Sequence, residues 1–173
     1  MDTSQSLPDL LEPGLSIVFC GINPGLRSAS KGQHFAGNSN RFWRVMHLAG
    51  FTPEQIRPED DHTILQFGCG LTTVVPRPTA QAAELSRSEI ELAGEAFRQK
   101  IEHYAPRHIA FLGKMAVSAI TGTRDIQWGR QTAPFGGARA WVLPNPSGLN
   151  RAFSLDALVS AYREVQLAVS STP

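Results

Sequence analysis

Two asparagines each precede a proline in a glycine-rich stretch that follows an apolar run. They are Asn23 in Gly21-Ile22-Asn23-Pro24-Gly25 and Asn145 in Pro144-Asn145-Pro146-Ser147-Gly148-Leu149-Asn150. The proline biases each asparagine toward extended backbone, and the glycines let a ligand approach the main chain closely. Either stretch alone is ordinary turn punctuation; two of them at the ends of two strands are harder to dismiss. An asparagine can orient a water or bond a base edge, but it is no strong general base. It suits a reaction with a dissociative transition state that needs a placed water. Cleavage of a nucleoside's N-glycosidic bond has that character, by analogy with glycoside hydrolysis. The departing base carries negative charge, which fixed backbone N–H donors can stabilise.

Elements that could hold these loops are visible in the pattern of apolar residues. Leu15–Cys20 is an apolar run that reads as a buried strand, and Gly70–Val75, His108–Leu112 and Ala138–Leu143 read as three more. Ile90, Ala93, Phe97, Ile101 and Tyr104 recur at helical spacing behind a Ser86/Glu89 capping box. Leu155, Leu158, Tyr162, Val165 and Val169 do the same behind Ser154. Asn40–Leu48 predicts a third helix stopped by Gly50, and Asp60–Gln66 and Lys114–Thr121 two shorter ones. Alternating strands and helices predict a single three-layer α/β domain: a mainly parallel sheet flanked by helices, with ligands beyond the carboxyl ends of the strands. The domain is read over residues 8–169, with loose tails at 1–7 and 170–173.

The 173 residues suffice to bury a core without staples. Two cysteines, Cys20 and Cys69, cannot build a disulfide scaffold or a four-thiolate metal site, and both read as buried, inert thiols. The five histidines show no ligand spacing, so no metal and no organic cofactor is expected. No membrane span or signal peptide is evident, which predicts a soluble cytoplasmic protein, and a monomer is expected. With 16 Lys+Arg against 15 Asp+Glu, overall charge does not hold a polyanion. The cations are mostly arginines, and Arg27, Lys31, Arg41 and Arg44 near the first motif and Arg139 and Arg151 near the second suggest phosphate contacts.

The segments GINPG (21–25), KGQHFAG (31–37), NRFW (40–43) and NPSGLNR (145–151), with Arg77-Pro78-Thr79 and Trp141-Val142-Leu143, resemble the mismatch-specific uracil-DNA glycosylase family, related to the thymine-DNA glycosylases. The likeness spans residues 8 to 168, and the GINPG/NPSGL pair at this separation is specific. It implies the uracil-DNA glycosylase fold and a monofunctional enzyme, with double-stranded DNA as partner. The enzyme would flip uracil out of a G:U pair and hydrolyse its glycosidic bond, initiating base excision repair. By resemblance Asn23 positions the attacking water, Ile22 lines the pocket, Phe35 stacks on the flipped base and Asn145 contacts the pyrimidine. Leu149 is the wedge in the duplex, Gly148, Asn150 and Arg151 face the opposite guanine and its backbone, and Lys31 contacts DNA. Ser28 stands where the thymine-cleaving branch has alanine, which suggests a pocket narrowed near the 5-methyl position. Two positions depart from the family pattern: Asn150 where serine is common, and Pro76 where an acidic residue often stands.

Each assignment has a plainer competitor. Phe35 lies in a polar, glycine-rich stretch, which favours a stacking platform over core packing. Leu149, flanked by polar residues, fits an apolar wedge, though a leucine buried under its loop is the alternative. Ser28 competes with a turn or capping hydroxyl. His34 alone among the histidines has loop context, for a phosphate or base-edge contact. Phe42, Trp43, Trp128 and Trp141 read as structural, and Glu89, Glu91, Glu95 and Glu102 as a solvated helix face. Two rival functions remain: a glycosylase acting mainly on xanthine, hypoxanthine or an etheno adduct, and a low-turnover damage-binding module.

Overall fold

The computed structural model describes residues 7–171. Five strands, β1 (Ile17–Gly21), β2 (Cys69–Thr73), β3 (His108–Leu112), β4 (Gly129–Arg130) and β5 (Arg139–Leu143), form one sheet in the order β2-β1-β3-β5-β4. The first four positions are parallel, and the two-residue β4 closes the β5 edge antiparallel. The helices are α1 (Leu26–Lys31), α2 (Phe42–Leu48), α3 (Arg87–Tyr104), α4 (Lys114–Thr121) and α5 (Leu155–Ser171).

Alternation along the strands sends side chains to two cores. Val18, Cys20, Ile109, Phe111 and Val142 face one layer, covered by Ile90, Phe97 and Ile101 of α3 and by Ala116 and Val117 of α4. Ile17, Phe19, Ala110, Leu112 and Leu143 face the other, covered by α2 and α5. There Phe19 lies edge-on to Phe42 (5.6 Å between centroids) and stacked with Tyr162 (6.3 Å). The three-layer α/β architecture expected from the sequence is the one found.

The predicted strands and the helices α2 to α5 are present, with ends that shift by a few residues. Ser86 caps α3 as the capping pattern predicts, its Oγ accepting from Glu89 N at 3.0 Å. Three differences matter. Residues 58–67 form a kinked 3-10 segment, in which Asp60 departs from helical geometry (φ −108°, ψ 20°). The short helix α1 and the edge strand β4 have no counterpart in the apolar periodicity. Helix α5 continues to Ser171, so Ser170 and Ser171 are helical rather than tail. The tail expectation for residues 1–6 and 172–173 lies outside the described residues.

Candidate active site

The chain leaves β1 toward β2 on one side and β3 toward β5 on the other, so a crevice opens at the carboxyl ends where the connections diverge. A cleft of about 460 Å³ occupies that place, a size suited to a small-molecule or nucleoside ligand. Its walls include Ile22, Asn23, Ser28, Phe35, Asn145, Gly148 and Leu149. Seven residues predicted for the site are thus brought together from three loops and α1.

Asn23 is locked by its own amide. Its Nδ2 donates to the Arg77 carbonyl and to Thr79 Oγ1, both at 2.8 Å. A carbonyl oxygen can only accept, so this contact assigns the nitrogen and leaves Oδ1 as the acceptor presented to the cleft. Thr79 Oγ1 passes its own proton on to the Gln81 carbonyl (2.8 Å), and Thr79 N donates to Pro24 O. Arg77 is anchored in turn by a two-point ion pair with Glu89 (2.8 Å on each oxygen), which holds the Glu89 carboxyl below its ordinary pKa. Glu89, read as part of a solvated face, therefore braces the loop that orients Asn23. An acceptor oxygen on a fixed amide can direct a water's proton without abstracting it.

The Phe35 platform is built under strain. Phe35 has φ +53°, a region that bulky residues rarely occupy. Its neighbours pin it from every side. Ser28 Oγ accepts from Ala36 N (3.0 Å), His34 N donates to Asp61 Oδ2 (2.9 Å), and Trp43 Nε1 donates to His34 O (3.0 Å). The ring lies on Phe42 with centroids 4.0 Å apart and planes 21° apart, and Phe35 also lines the cleft. Two side chains here also serve the fold. His34 is buried and lines the cleft, and its Nε2 donates to the Pro8 carbonyl (2.7 Å), which ties the ring to the start of the described chain; burial lowers its pKa. The Ser28 hydroxyl, also buried, is an acceptor for the Phe35 loop as well as part of the cleft wall.

The second loop is held differently. Asn145 Oδ1 accepts from Ser147 N (2.9 Å), which turns the chain and leaves the Asn145 Nδ2 hydrogens as donors at the cleft. Asn23 thus presents an acceptor and Asn145 a donor. Arg41, expected to contact phosphate, instead spends its guanidinium on main-chain carbonyls of Ser147 (3.0 Å), Asn150 (2.9 Å) and Phe153 (2.7 Å), with a longer contact to Pro146 (3.4 Å). Buried Tyr162 donates its hydroxyl to Pro144 O (3.0 Å). The sequence signals for Arg41 are its place in the NRFW segment and its position just before two core aromatics. Asn150 Nδ2 closes the loop on the Asn145 carbonyl (2.9 Å). Gly148 is demanded by contact: a Cβ there would lie 2.5 Å from Ser39 Cβ. Leu149, at the tip, is 73% exposed.

The Uracil DNA glycosylase superfamily model matches residues 8–166. The chain belongs to the uracil DNA glycosylase superfamily. A solution NMR structure from Methanosarcina acetivorans, of a protein with a provisional uracil DNA glycosylase assignment, shares the fold. It has a TM-score of 0.60 at 22% identity, over 94% of this chain and 98% of that one. Membership in the superfamily supports a DNA glycosylase, a hydrolase with DNA as its partner.

Around the site of this superfamily member, Lys31 in the last turn of α1 and Arg151 beside Leu149 are both exposed, and neither makes an ion pair among the described residues. Cys20 and Cys69 are buried, and burial pushes the Cys69 thiol up to about 12, far from a reactive thiolate. Among the described residues no group of His, Cys, Asp and Glu is arranged to hold a metal, and no helix is long and apolar enough to cross a membrane. Trp43 and Trp141 are buried as expected, but Trp128 is 43% exposed, against its reading as a structural residue.

Proposed function

We propose that this glycosylase excises uracil from G:U pairs in double-stranded DNA by hydrolysis, without a covalent enzyme intermediate, and so initiates base excision repair. The observation that carries the reading is the fixed amide of Asn23 at the cleft, whose Nδ2 is taken up by Arg77 O and Thr79 Oγ1 and whose Oδ1 is left to accept. In this account the flipped base stacks on Phe35 against the Ile22 wall, and a pyrimidine carbonyl accepts from Asn145 Nδ2. The glycosidic bond breaks heterolytically: its electron pair leaves with the base, and the water held by Asn23 attacks the anomeric carbon of the oxocarbenium-like sugar. The water's proton passes to solvent, because Asn23 is too weak a base to keep it. Leu149 fills the space vacated in the duplex, while Gly148, Asn150 and Arg151 lie on the side of the opposite guanine, and Lys31 meets the backbone. Ser28 acts on the pocket through the Phe35 loop as well as through its own bulk.

The deciding experiment is single-turnover base release from one duplex sequence carrying G:U, A:U, G:T, or xanthine, hypoxanthine or ethenocytosine opposite G. The expected order puts G:U first and G:T well below it, since one methyl group discriminates by roughly 1–3 kcal/mol. Faster release of a purine or an etheno adduct than of uracil would replace the substrate. Binding of every duplex without release of any base would replace the enzyme by a damage-binding module.

A further inference from the structure

One end of the cleft is closed by a segment that belongs to neither asparagine loop. Leu10 pairs antiparallel with Leu71 of β2, each main-chain N–H donating to the other's carbonyl at 2.9 Å. Followed back from Leu10, the chain runs along the outer edge of β2 toward that strand's carboxyl end. Three residues at about 3.3 Å each carry Leu7 past Thr73. Leu7 is half-buried there and lines the cleft together with Thr72, Thr73 and His34.

A segment ahead of a domain's first strand is commonly loose unless it is tied down. Here Pro8, Asp9 and Leu10 are all tied. Pro8 O accepts from His34 Nε2, which joins the segment to the Phe35 loop. The Asp9 carboxylate accepts from Thr72 Oγ1 through one oxygen and from Lys100 Nζ of α3 through the other, both at 2.7 Å. Thr72 is buried, so losing its bond to Asp9 would strand a hydroxyl away from water. Gly70 lets the segment lie close, because a Cβ there would sit 2.8 Å from Leu10 O. Three separate elements thus hold a strap that ends in an apolar wall of the cleft.

The opposite wall is built differently: Leu149 projects, largely exposed, from the loop after β5, beside the Asn145 donor. A base that enters past Leu149 and stacks on Phe35, its sugar at the water held by Asn23, turns its edge remote from the glycosidic nitrogen toward the β2 end.

We propose that Leu7 is a specificity-determining residue of the base pocket, an apolar stop against the remote edge of the flipped base, and that Asp9 is the positioning residue that holds it there. The proposal rests on the cleft being the base pocket of the glycosylase reading and adds what limits the size of the base. A pyrimidine fits in front of Leu7; a ring fused to its remote edge meets the side chain. A single methylene of fit in an apolar pocket is worth roughly 10- to 200-fold in discrimination.

The test compares single-turnover release of uracil and of 3,N4-ethenocytosine, whose bridge widens that remote edge, each opposite G in one duplex sequence. Leu7→Ala should raise the ethenocytosine-to-uracil ratio by about 10-fold or more. Leu7→Met, of similar volume, should keep the wild-type ratio, and Asp9→Ala should raise it by less than Leu7→Ala, because the stop is loosened and not removed. An unchanged ratio in Leu7→Ala, or a parallel fall of both rates, overturns the stop, as does a wild-type protein that releases ethenocytosine as fast as uracil. Leu7→Cys gives a second measurement, since Cys20 and Cys69 are buried and iodoacetamide then reports on the introduced thiol. A G:U duplex carrying non-hydrolysable 2′-fluoro-deoxyuridine should slow alkylation beyond the effect of the same duplex with an abasic tetrahydrofuran, which covers the mouth of the cleft but inserts no base. Equal rates with the two duplexes overturn the stop even where uracil is released normally. Protection by the uracil duplex in a protein that releases no base would keep Leu7 against the base and overturn the glycosylase reading.

Discussion

The two asparagine loops face each other across one cleft, yet they are stabilised in opposite ways. The Asn23 wall is fixed from behind by many short bonds to separate elements: Arg77, Thr79, Ser28, Asp61 and Trp43 all take part, and one residue, Phe35, is held in a strained conformation. The Asn145 wall hangs largely from one guanidinium and one phenol, with Leu149 projecting from it. The first arrangement spreads the restraint, so the geometry of a water or a stacked base survives small perturbations. The second concentrates it, so a whole loop depends on two side chains, Arg41 above all. Reaction chemistry tolerates little displacement, about 1 Å costing on the order of 100-fold. The spread restraint sits where that tolerance is smallest.

The largest effect should come from the group that the first wall exists to hold. Asn23→Ala is expected to slow single-turnover uracil release by at least ~100-fold while duplex affinity stays near wild type, measured on the same oligonucleotide. Release within a few-fold of wild type would mean that another group places the water.

Arg41→Lys tests the concentrated restraint. An ammonium cannot fork to three carbonyls at once, so the variant should lose about 3 kcal/mol of stability by urea titration. Its uracil release from duplex should fall about 100-fold as Leu149 and Asn145 lose their register. Release from single-stranded DNA, which needs no wedge, should fall less. Full activity in the lysine variant would show that Tyr162 and the core hold the loop unaided.

Strain in the first wall gives a smaller and more unusual signature. Phe35→Gly and Phe35→Ala both delete the platform, but only glycine is at ease at φ +53°. The glycine variant should therefore be the more stable by about 1 kcal/mol, the reverse of the usual ranking. Equal unfolding free energies would mean that the loop relaxes once the ring is gone.

The smallest effect is a pH dependence. Burial, the main cause, lowers the pKa of His34, outweighing the opposing pull of the Pro8 hydrogen bond and of Asp61 and Asp9. His108 is lowered by burial and by Arg139, Arg130 and Arg107. The unfolded chain then takes up protons first, so stability is full above about pH 6.5 and declines as pH falls below it. His34→Gln should remove part of the slope measured by urea midpoints between pH 7.5 and pH 5, and a flat wild-type profile would refute the neutral buried imidazoles.

Local pattern was enough for much of this protein. Continuous apolar runs made β1, β3 and β5 legible, because strands buried on both faces carry apolar residues throughout, and period-3.6 stripes did the same for α3 and α5. The short edge strand β4 and helix α1 carry no such stripe, and the 3-10 path of residues 58–67 departs from a periodicity that resembles an α-helix. Both asparagines were also legible, as residue types in loops after strands.

Their working state was not. The partners that orient Asn23 lie 54 and 56 residues away, and the carbonyls that Arg41 grips lie 105 to 112 residues away. No spacing rule reaches that far. The burial of His34, the positive φ of Phe35 and the exposure of Trp128 depend likewise on which loops the sheet order brings side by side. The sequence by itself determined the elements and the chemical types at the cleft. Only the tertiary structure decided which atom of each amide faces inward, because a hydrogen-bonding group takes its direction from the partner it meets.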